Sequence, residues 1–151
     1  MYYFAYGSNM DNGELKRKGI EDVEVFGSAI LDGYELKFNK LSKKDGSGKA
    51  NIIRKDGSTV EGVIYIFTKE QMGTMDTKEG SGYKQVKVFP ISDGKNIEAV
   101  AYVATGTALR ENLLPTKDYL EKILRGAKEF QLSDSYTKQL ENQDFLVTNT
   151  R

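Results

Sequence analysis

Tyr3-Phe4-Ala5-Tyr6-Gly7-Ser8-Asn9-Met10 runs an aromatic stretch straight into a Gly-Ser-Asn turn and then into a polar segment. The apolar run Tyr2 to Ala5 reads as a buried strand that stops in the glycine turn. A turn of this composition aims backbone N–H groups at an anion. Gly7 allows a conformation closed to residues with a side chain and lets a ligand approach the backbone, while Ser8 and Asn9 add short polar arms. Two readings fit these residues: a cradle for a carboxylate or a developing oxyanion, and a plain strand-to-helix connection with a hydroxyl or amide cap.

Outward from that strand the pattern predicts an α+β fold, strand-rich, with short helices inserted and a C-terminal helical segment. A short helix is predicted from about Asp11, with Glu14 completing a capping box and Gly19 ending it. Val23 to Lys40 reads as two strands joined near Asp32-Gly33, because Val23, Val25, Ala29, Leu31, Leu36 and Phe38 roughly alternate around that turn signal. Lys43 to Lys49 is a Gly/Ser/Lys loop, and the Lys-rich stretch Lys40 to Lys49 around it is read as solvated, with guidance of an anionic ligand as the alternative. Strands follow at Ala50 to Arg54 and Thr59 to Phe67, separated by Asp56-Gly57. Thr68 and Gln71 form a capping box for a helix running toward Glu79. Tyr83 to Ile91 and Asn96 to Ala104 predict a hairpin around Asp93-Gly94, with Val86, Val88, Val100 and Tyr102 inward. Pro115-Thr116 opens a helix whose apolar face is Tyr119, Leu120, Ile123, Leu124, Ala127 and Phe130; Leu132 to Leu140 reads as a second helix, and the last ten or so residues as a tail.

Composition limits the chemistry. The 151 residues contain no His and no Cys, which removes a Ser-His-Asp triad, a Cys nucleophile, a thiolate or imidazole metal site and a disulfide frame. Carboxylate, Lys, Tyr, Ser or backbone must carry any catalysis. Basic and acidic residues balance at 22 each, so the basic surface of a nucleic-acid binder is not expected and a small neutral or zwitterionic ligand fits better. The length suits one domain, 1–151. No apolar stretch reaches membrane-spanning length and the first residues lack a signal-peptide layout, so a cytoplasmic location is expected. No phosphate-binding loop of the P-loop or dinucleotide type occurs.

A second stretch, Met75-Asp76-Thr77-Lys78-Glu79-Gly80-Ser81-Gly82-Tyr83, sits where a helix meets a strand. Gly80 and Gly82 bracket the turn, so Glu79 is presented by two rigid elements. A glutamate at a helix C-terminus opposes the macrodipole by a few tenths of a kcal/mol (about 0.3 at least), which marks Glu79 either as an ordinary charged helix end or as a functional carboxylate.

Together the two stretches resemble the gamma-glutamylcyclotransferase family. The resemblance starts at Tyr3 to Asn9, continues through Asp76-Thr77-Lys78-Glu79-Gly80 with Tyr83, and ends in Tyr119-x-x-x-Ile123-x-x-Gly126-Ala127-Lys128-Glu129, in the same order. It implies a partly closed mixed sheet around a cavity, and conversion of gamma-glutamyl dipeptides to 5-oxoproline and a free amino acid without cofactor or metal. It also implies Glu79 as general acid/base, and Tyr3, Tyr6, Gly7, Ser8, Asn9, Tyr83 and Tyr119 as substrate-binding, with Tyr102 as a further pocket tyrosine. A related branch acting on gamma-glutamylamines tends to carry Thr-Leu after Tyr-Gly; Ser8-Asn9 favours the dipeptide branch. The implied partner is a gamma-glutamyl small molecule, neither nucleic acid nor membrane, and a homodimer is left open. The competing readings are a cyclotransferase for gamma-glutamylated amines or biosynthetic intermediates, and a noncatalytic module that binds a small ligand in the same cavity.

Overall fold

The computed structural model describes residues 1–147. Strand β1 (Tyr2–Ala5) is an interior strand, third in order, of a curled, mixed seven-stranded sheet. It pairs antiparallel with β3 (Gly48–Ile66), Phe4 opposite Ile64, and parallel with β7 (Ala99–Ala104), Tyr3 opposite Val100. Neighbours on both edges and cover on both faces explain why this strand is continuously apolar: Tyr3, Phe4 and Ala5 are all buried.

The strands β2 (Glu24–Leu41) and β3 correct the sequence reading. The sequence predicts strands joined near Asp32-Gly33 and strands separated by Asp56-Gly57, yet each pair of predicted strands is one long strand and the two run antiparallel as a ribbon. Asp32 opposes Thr59 and Tyr34 opposes Arg54, so the two Asp-Gly pairs face each other across a register shift. Gly33 and Gly57 take φ of +82° and +84°. Their left-handed freedom bends the ribbon instead of reversing the chain. The reversal lies at 42–47, where the Ser42 N–H donates to the Ser47 carbonyl at 2.9 Å.

The Asp93-Gly94 turn is real, with both residues at positive φ between β5 (Ile91–Ser92) and β6 (Lys95–Asn96). The strands around it do not form the single hairpin expected. Strand β4 (Tyr83–Val88) pairs with β7, while β5 crosses to the opposite edge of the sheet and sets Ile91 against Ile30 of β2. Pro90, which has no N–H for a ladder, separates the two parts. Of the predicted inward residues, Val88 and Tyr102 are buried while Val86 and Val100 are half-buried; the register sets Val86 and Val88 opposite Ala101 and Ala99 on one face and leaves Val100 and Tyr102 on the other.

The helices follow the sequence more closely. Helix α1 (Asn12–Arg17) ends before Gly19, at φ +86°, but Asp11 makes no side-chain cap. Glu14 turns away to Arg17, Lys18 and Lys122 instead of closing a capping box. Helix α2 (Lys69–Glu79) has the predicted reciprocal box, with Thr68 Oγ1 accepting from the Gln71 N–H at 3.0 Å and Gln71 Oε1 from the Thr68 N–H at 2.9 Å. Helix α3 (Lys117–Glu129), capped by Thr116, buries Leu120, Ile123, Gly126 and Ala127. A Cβ on Gly126 would lie 2.4 Å from the Met10 Cβ, so glycine there lets α3 lie directly on the turn after β1. Helix α4 (Asp134–Glu141) packs on α3. The expected C-terminal tail runs partly outside the described residues. Among those described, no helix is long and apolar enough to cross a membrane.

Candidate active site

The turn after β1 is a short 3-10 segment, Ser8–Met10, buried under α3. Its Met10 N–H donates to the Gly7 carbonyl at 3.1 Å. The first N–H groups of such a turn have no partner inside it. Gly7 takes φ −115° and ψ −141°, which is not left-handed but lies outside the ordinary α and extended regions, and the glycine also supplies space. A Cβ at position 7 would stand 3.1 Å from the Ala50 Cβ and 3.5 Å from the Tyr119 hydroxyl.

Asn9 faces inward, and its side chain is committed to protein groups. Its amide nitrogen donates to the Tyr3 hydroxyl at 2.8 Å and to Glu79 Oε1 at 2.9 Å, and its Oδ1 accepts from the Lys18 ammonium at 2.6 Å. The Tyr65 hydroxyl holds the Asn9 carbonyl at 2.9 Å. The polar arm expected to reach ligand is therefore the fastener that orients Glu79. The last residue of α2, Glu79 leaves its helix as Gly80 turns with φ +68°. The Asn9 amide and the Lys18 ammonium, 3.9 Å away, offset the unfavourable helix-end position of its charge. Its side chain is 14% exposed, and among the described residues Oε2 has no partner.

Two tyrosines brace the facing wall. The Tyr83 hydroxyl donates to the Ala50 carbonyl at 2.8 Å, and the Tyr119 hydroxyl accepts the Ala50 N–H at 3.0 Å. They stand in for a strand at a place where β2 and β3 shift register, between the Lys37–Asn51 and Lys40–Lys49 pairs. Because the Tyr119 oxygen accepts, its own proton is available on the cavity side, beside Ser8. Tyr6 donates to the Tyr102 carbonyl, and Tyr102 in turn donates to Asp76 at 2.5 Å. Burial, and next the negative charge of Glu79, hold the Tyr3 hydroxyl well above its ordinary pKa, so it remains a proton donor; burial does the same for Tyr6, Tyr83 and Tyr119.

These groups close around one cavity of about 200 Å³. Tyr3, Tyr6, Gly7, Ser8, Asn9, Glu79, Tyr83 and Tyr119 all line it, and so does Tyr102. The charged part of the lining is Glu14, Arg17, Lys18, Lys40, Lys49 and Lys78; of these, sequence reasoning touched only Lys40 and Lys49, as the ends of a stretch that could guide an anionic ligand. The ends of the lysine loop are not solvated as expected. The Lys49 ammonium lies 4.1 Å from the Tyr119 ring centre and that of Lys40 lies 5.2 Å from the Tyr83 ring centre, so each cation rests on a π face. Burial lowers the Lys49 pKa. The i, i+4 spacing of Glu14 and Lys18 directly after the turn was the available signal for that pair. Glu14 is a structural anchor: burial alone would raise its pKa, but hydrogen bonds from Arg17 and Lys122 and the nearby Lys18 bring it down to about 2. Among the described residues, no cluster of Asp and Glu is placed to hold a metal ion.

Both the sequence and the fold that carry this site are similar to those of known proteins. Residues 59–140 match the sequence pattern of the AIG2-like family. Gamma-glutamylcyclotransferase of Mus musculus is 30% identical over 91% of this chain and 76% of its own length; the Homo sapiens protein of that name is 31% identical over the same shares. YkqA of Bacillus subtilis is 32% identical over 93% of the chain, which spans only 50% of that longer protein. A solved structure of a gamma-glutamyl cyclotransferase superposes with a TM-score of 0.90 at 27% identity, covering 100% of this chain and 92% of its own. With likeness of sequence and of fold across nearly its whole length, the chain belongs to the gamma-glutamylcyclotransferase family.

Proposed function

We propose that the chain is a cyclotransferase that converts gamma-glutamyl dipeptides to 5-oxoproline and a free amino acid. The observation that carries this reading is the setting of Glu79, a carboxylate with one oxygen held by Asn9 and the other open to a cavity walled by the Gly7-Ser8-Asn9 turn. Such a substrate brings its own nucleophile, the α-amine, and its own electrophile, the γ-carbonyl. The protein has to fold it toward a five-membered ring and move protons, and holding both groups in place supplies several kcal/mol (about 7 or more in well-oriented cases).

In this reading Glu79 Oε2 takes a proton from the α-ammonium and frees the nitrogen lone pair. The nitrogen attacks the γ-carbon; the C–N bond of the ring forms and the carbonyl electron pair moves onto oxygen. The tetrahedral oxyanion is stabilised by N–H groups of the turn or by the Tyr119 hydroxyl, whose proton is available beside Ser8. As the oxyanion pair returns to the carbonyl and the old C–N bond breaks, Glu79 delivers its proton to the departing nitrogen and then takes the second proton from the ring nitrogen, which passes on to the released amine, so the products are neutral-lactam 5-oxoproline and an ammonium. The second turn-facing charge on the substrate, its α-carboxylate, has Lys18 and Lys49 within the same cavity. Ser8-Asn9 after Gly7 supports dipeptides over gamma-glutamylated amines as substrates. The test is 5-oxoproline release from gamma-glutamyl dipeptides and gamma-glutamylamines: turnover that vanishes in Glu79→Gln supports the reading, and binding without turnover in the parent protein replaces it with a noncatalytic module.

A further inference from the structure

Glu79 borders two recesses at once. The first is the cavity described above; the second shares Glu79 and Lys40 with it, encloses about 390 Å³ and is bounded by Lys43, Ser81, Thr107 and Arg110. Main-chain bonds fix its walls. Leu109 bridges to Lys40, the Arg110 N–H donates to the Asn39 carbonyl at 2.9 Å, and the Thr105 N–H donates to the Gly82 carbonyl at 3.0 Å. The Arg110 guanidinium donates through Nη1 to the carbonyls of Thr107 and Leu109, at 3.0 and 2.7 Å, which holds it on its own turn.

Cations outnumber acids in this recess. Glu79 is the one acid of its lining, and among the described residues Lys40, Lys43 and Arg110 form no ion pair. The contrast with the neighbouring cations is direct, since Arg17, Lys18 and Lys122 are all bound to Glu14. Like charges gathered around a concave surface repel one another and raise the local concentration of anions.

The geometry points to the second recess as the leaving-group subsite, taking an amino acid whose carboxylates meet Lys40, Lys43 and Arg110, and favouring gamma-glutamyl dipeptides that end in aspartate or glutamate. This rests on the proposed reaction. The departing nitrogen has to lie beside Glu79, and the ring-forming half of the substrate fills the cavity on the Asn9 side. The rest of the substrate must therefore extend from Glu79 into space that also borders Glu79, and the second recess is that space. A free α-carboxylate would give such a substrate one anion for the cationic wall, and an acidic side chain a second. A gamma-glutamylamine offers none.

The experiment compares kcat/KM, read as 5-oxoproline release, for gamma-glutamylglutamate, gamma-glutamylalanine and gamma-glutamylalanine amide. It uses the parent protein, the double variant Lys43→Gln/Arg110→Gln and the charge-keeping Arg110→Lys. The expected series at low salt is a gain of about fivefold to tenfold per carboxylate, shrinking as salt is raised. The double variant should compress the series to within about twofold, and Arg110→Lys should keep most of it. Should the double variant fail to fold, the ranking by the parent protein and its salt dependence decide. Equal turnover of the three compounds, or a series that survives in a folded double variant, overturns the subsite and leaves the cyclotransferase reading standing. No 5-oxoproline from any of them overturns both.

Discussion

Two carboxylates share one cavity and do different things. Glu14 is 6% exposed and saturated, with Arg17 at 2.7 Å, Lys122 at 2.9 Å and Lys18 at 3.7 Å. Glu79 has one amide donor and a cation at 3.9 Å, and keeps an oxygen free. Lys18 lies between them and touches both. The difference teaches which kind of acid can do chemistry: a carboxylate whose lone pairs are all taken by cations is held ionised and stabilises the fold, whereas one held in place but left partly unsatisfied can still accept and return a proton.

The strongest way to break that comparison is Glu79→Gln, which keeps shape and removes the proton acceptor. Turnover should fall by roughly two to four orders of magnitude with an unchanged melting temperature. Near-normal turnover by the folded variant would move the acid/base role elsewhere.

Glu14→Gln should do the reverse and act on stability first. The Glu14 pKa is about 2 in the folded protein against an ordinary 4.5, so the unfolded chain binds more protons in that interval and stability rises with pH across it. The contribution is present above pH 4.5, is lost as pH falls toward 2, and amounts to on the order of 3 kcal/mol for this buried group. Melting curves of parent and variant should therefore differ at pH 6 and converge near pH 2. A constant gap across that range would show that Glu14 acts by packing alone.

Lys18→Met sharpens the comparison by cutting the bridge. It should lower kcat/KM by about tenfold, because Asn9 Oδ1 and Glu79 lose the ammonium that helps hold both in place. Parent-like kcat/KM in the folded variant would mean that the Asn9 amide alone positions Glu79. The smallest effects belong to the turn itself. Gly7→Ala should cost a few-fold in kcat/KM, about 1 kcal/mol, as its methyl presses on Ala50 and the Tyr119 hydroxyl, and Ser8→Ala, which keeps the backbone N–H, should cost less. Parent-like kinetics for Gly7→Ala would reduce the turn to a structural connection.

Local signals carried the parts of the fold that depend on neighbours in sequence. The run into Gly7, the Thr68–Gln71 box and the apolar face of α3 were legible because a strand stop, a helix cap and a helical stripe are decided within a few residues. Asp32-Gly33 and Asp56-Gly57 misled for the same reason. A glycine at positive φ can turn a chain back or bend a continuing ribbon, and the choice is made by the partner strand. Glu14 had the spacing of a capping box, but Lys122, 108 positions away, outcompeted the backbone. The site tyrosines and Glu79 were found through family motifs, whereas the choice between a solvated and a ligand-guiding Lys40 to Lys49 stretch stayed open, since only the tertiary fold decides whether Lys40 and Lys49 meet water or an aromatic face.

The bracing of Ala50 has a consequence for how the site comes into being. Its amide proton is held by a hydroxyl from α3, not by a neighbouring strand. Until residues 117–129 have settled onto the sheet, that proton exchanges freely with solvent, and the wall that faces Glu79 is unfinished. A chain emerging from the ribosome therefore carries its strand, turn and acid long before it carries a working pocket, and the exchange rate of one amide, Ala50, reports the moment at which the last wall arrives.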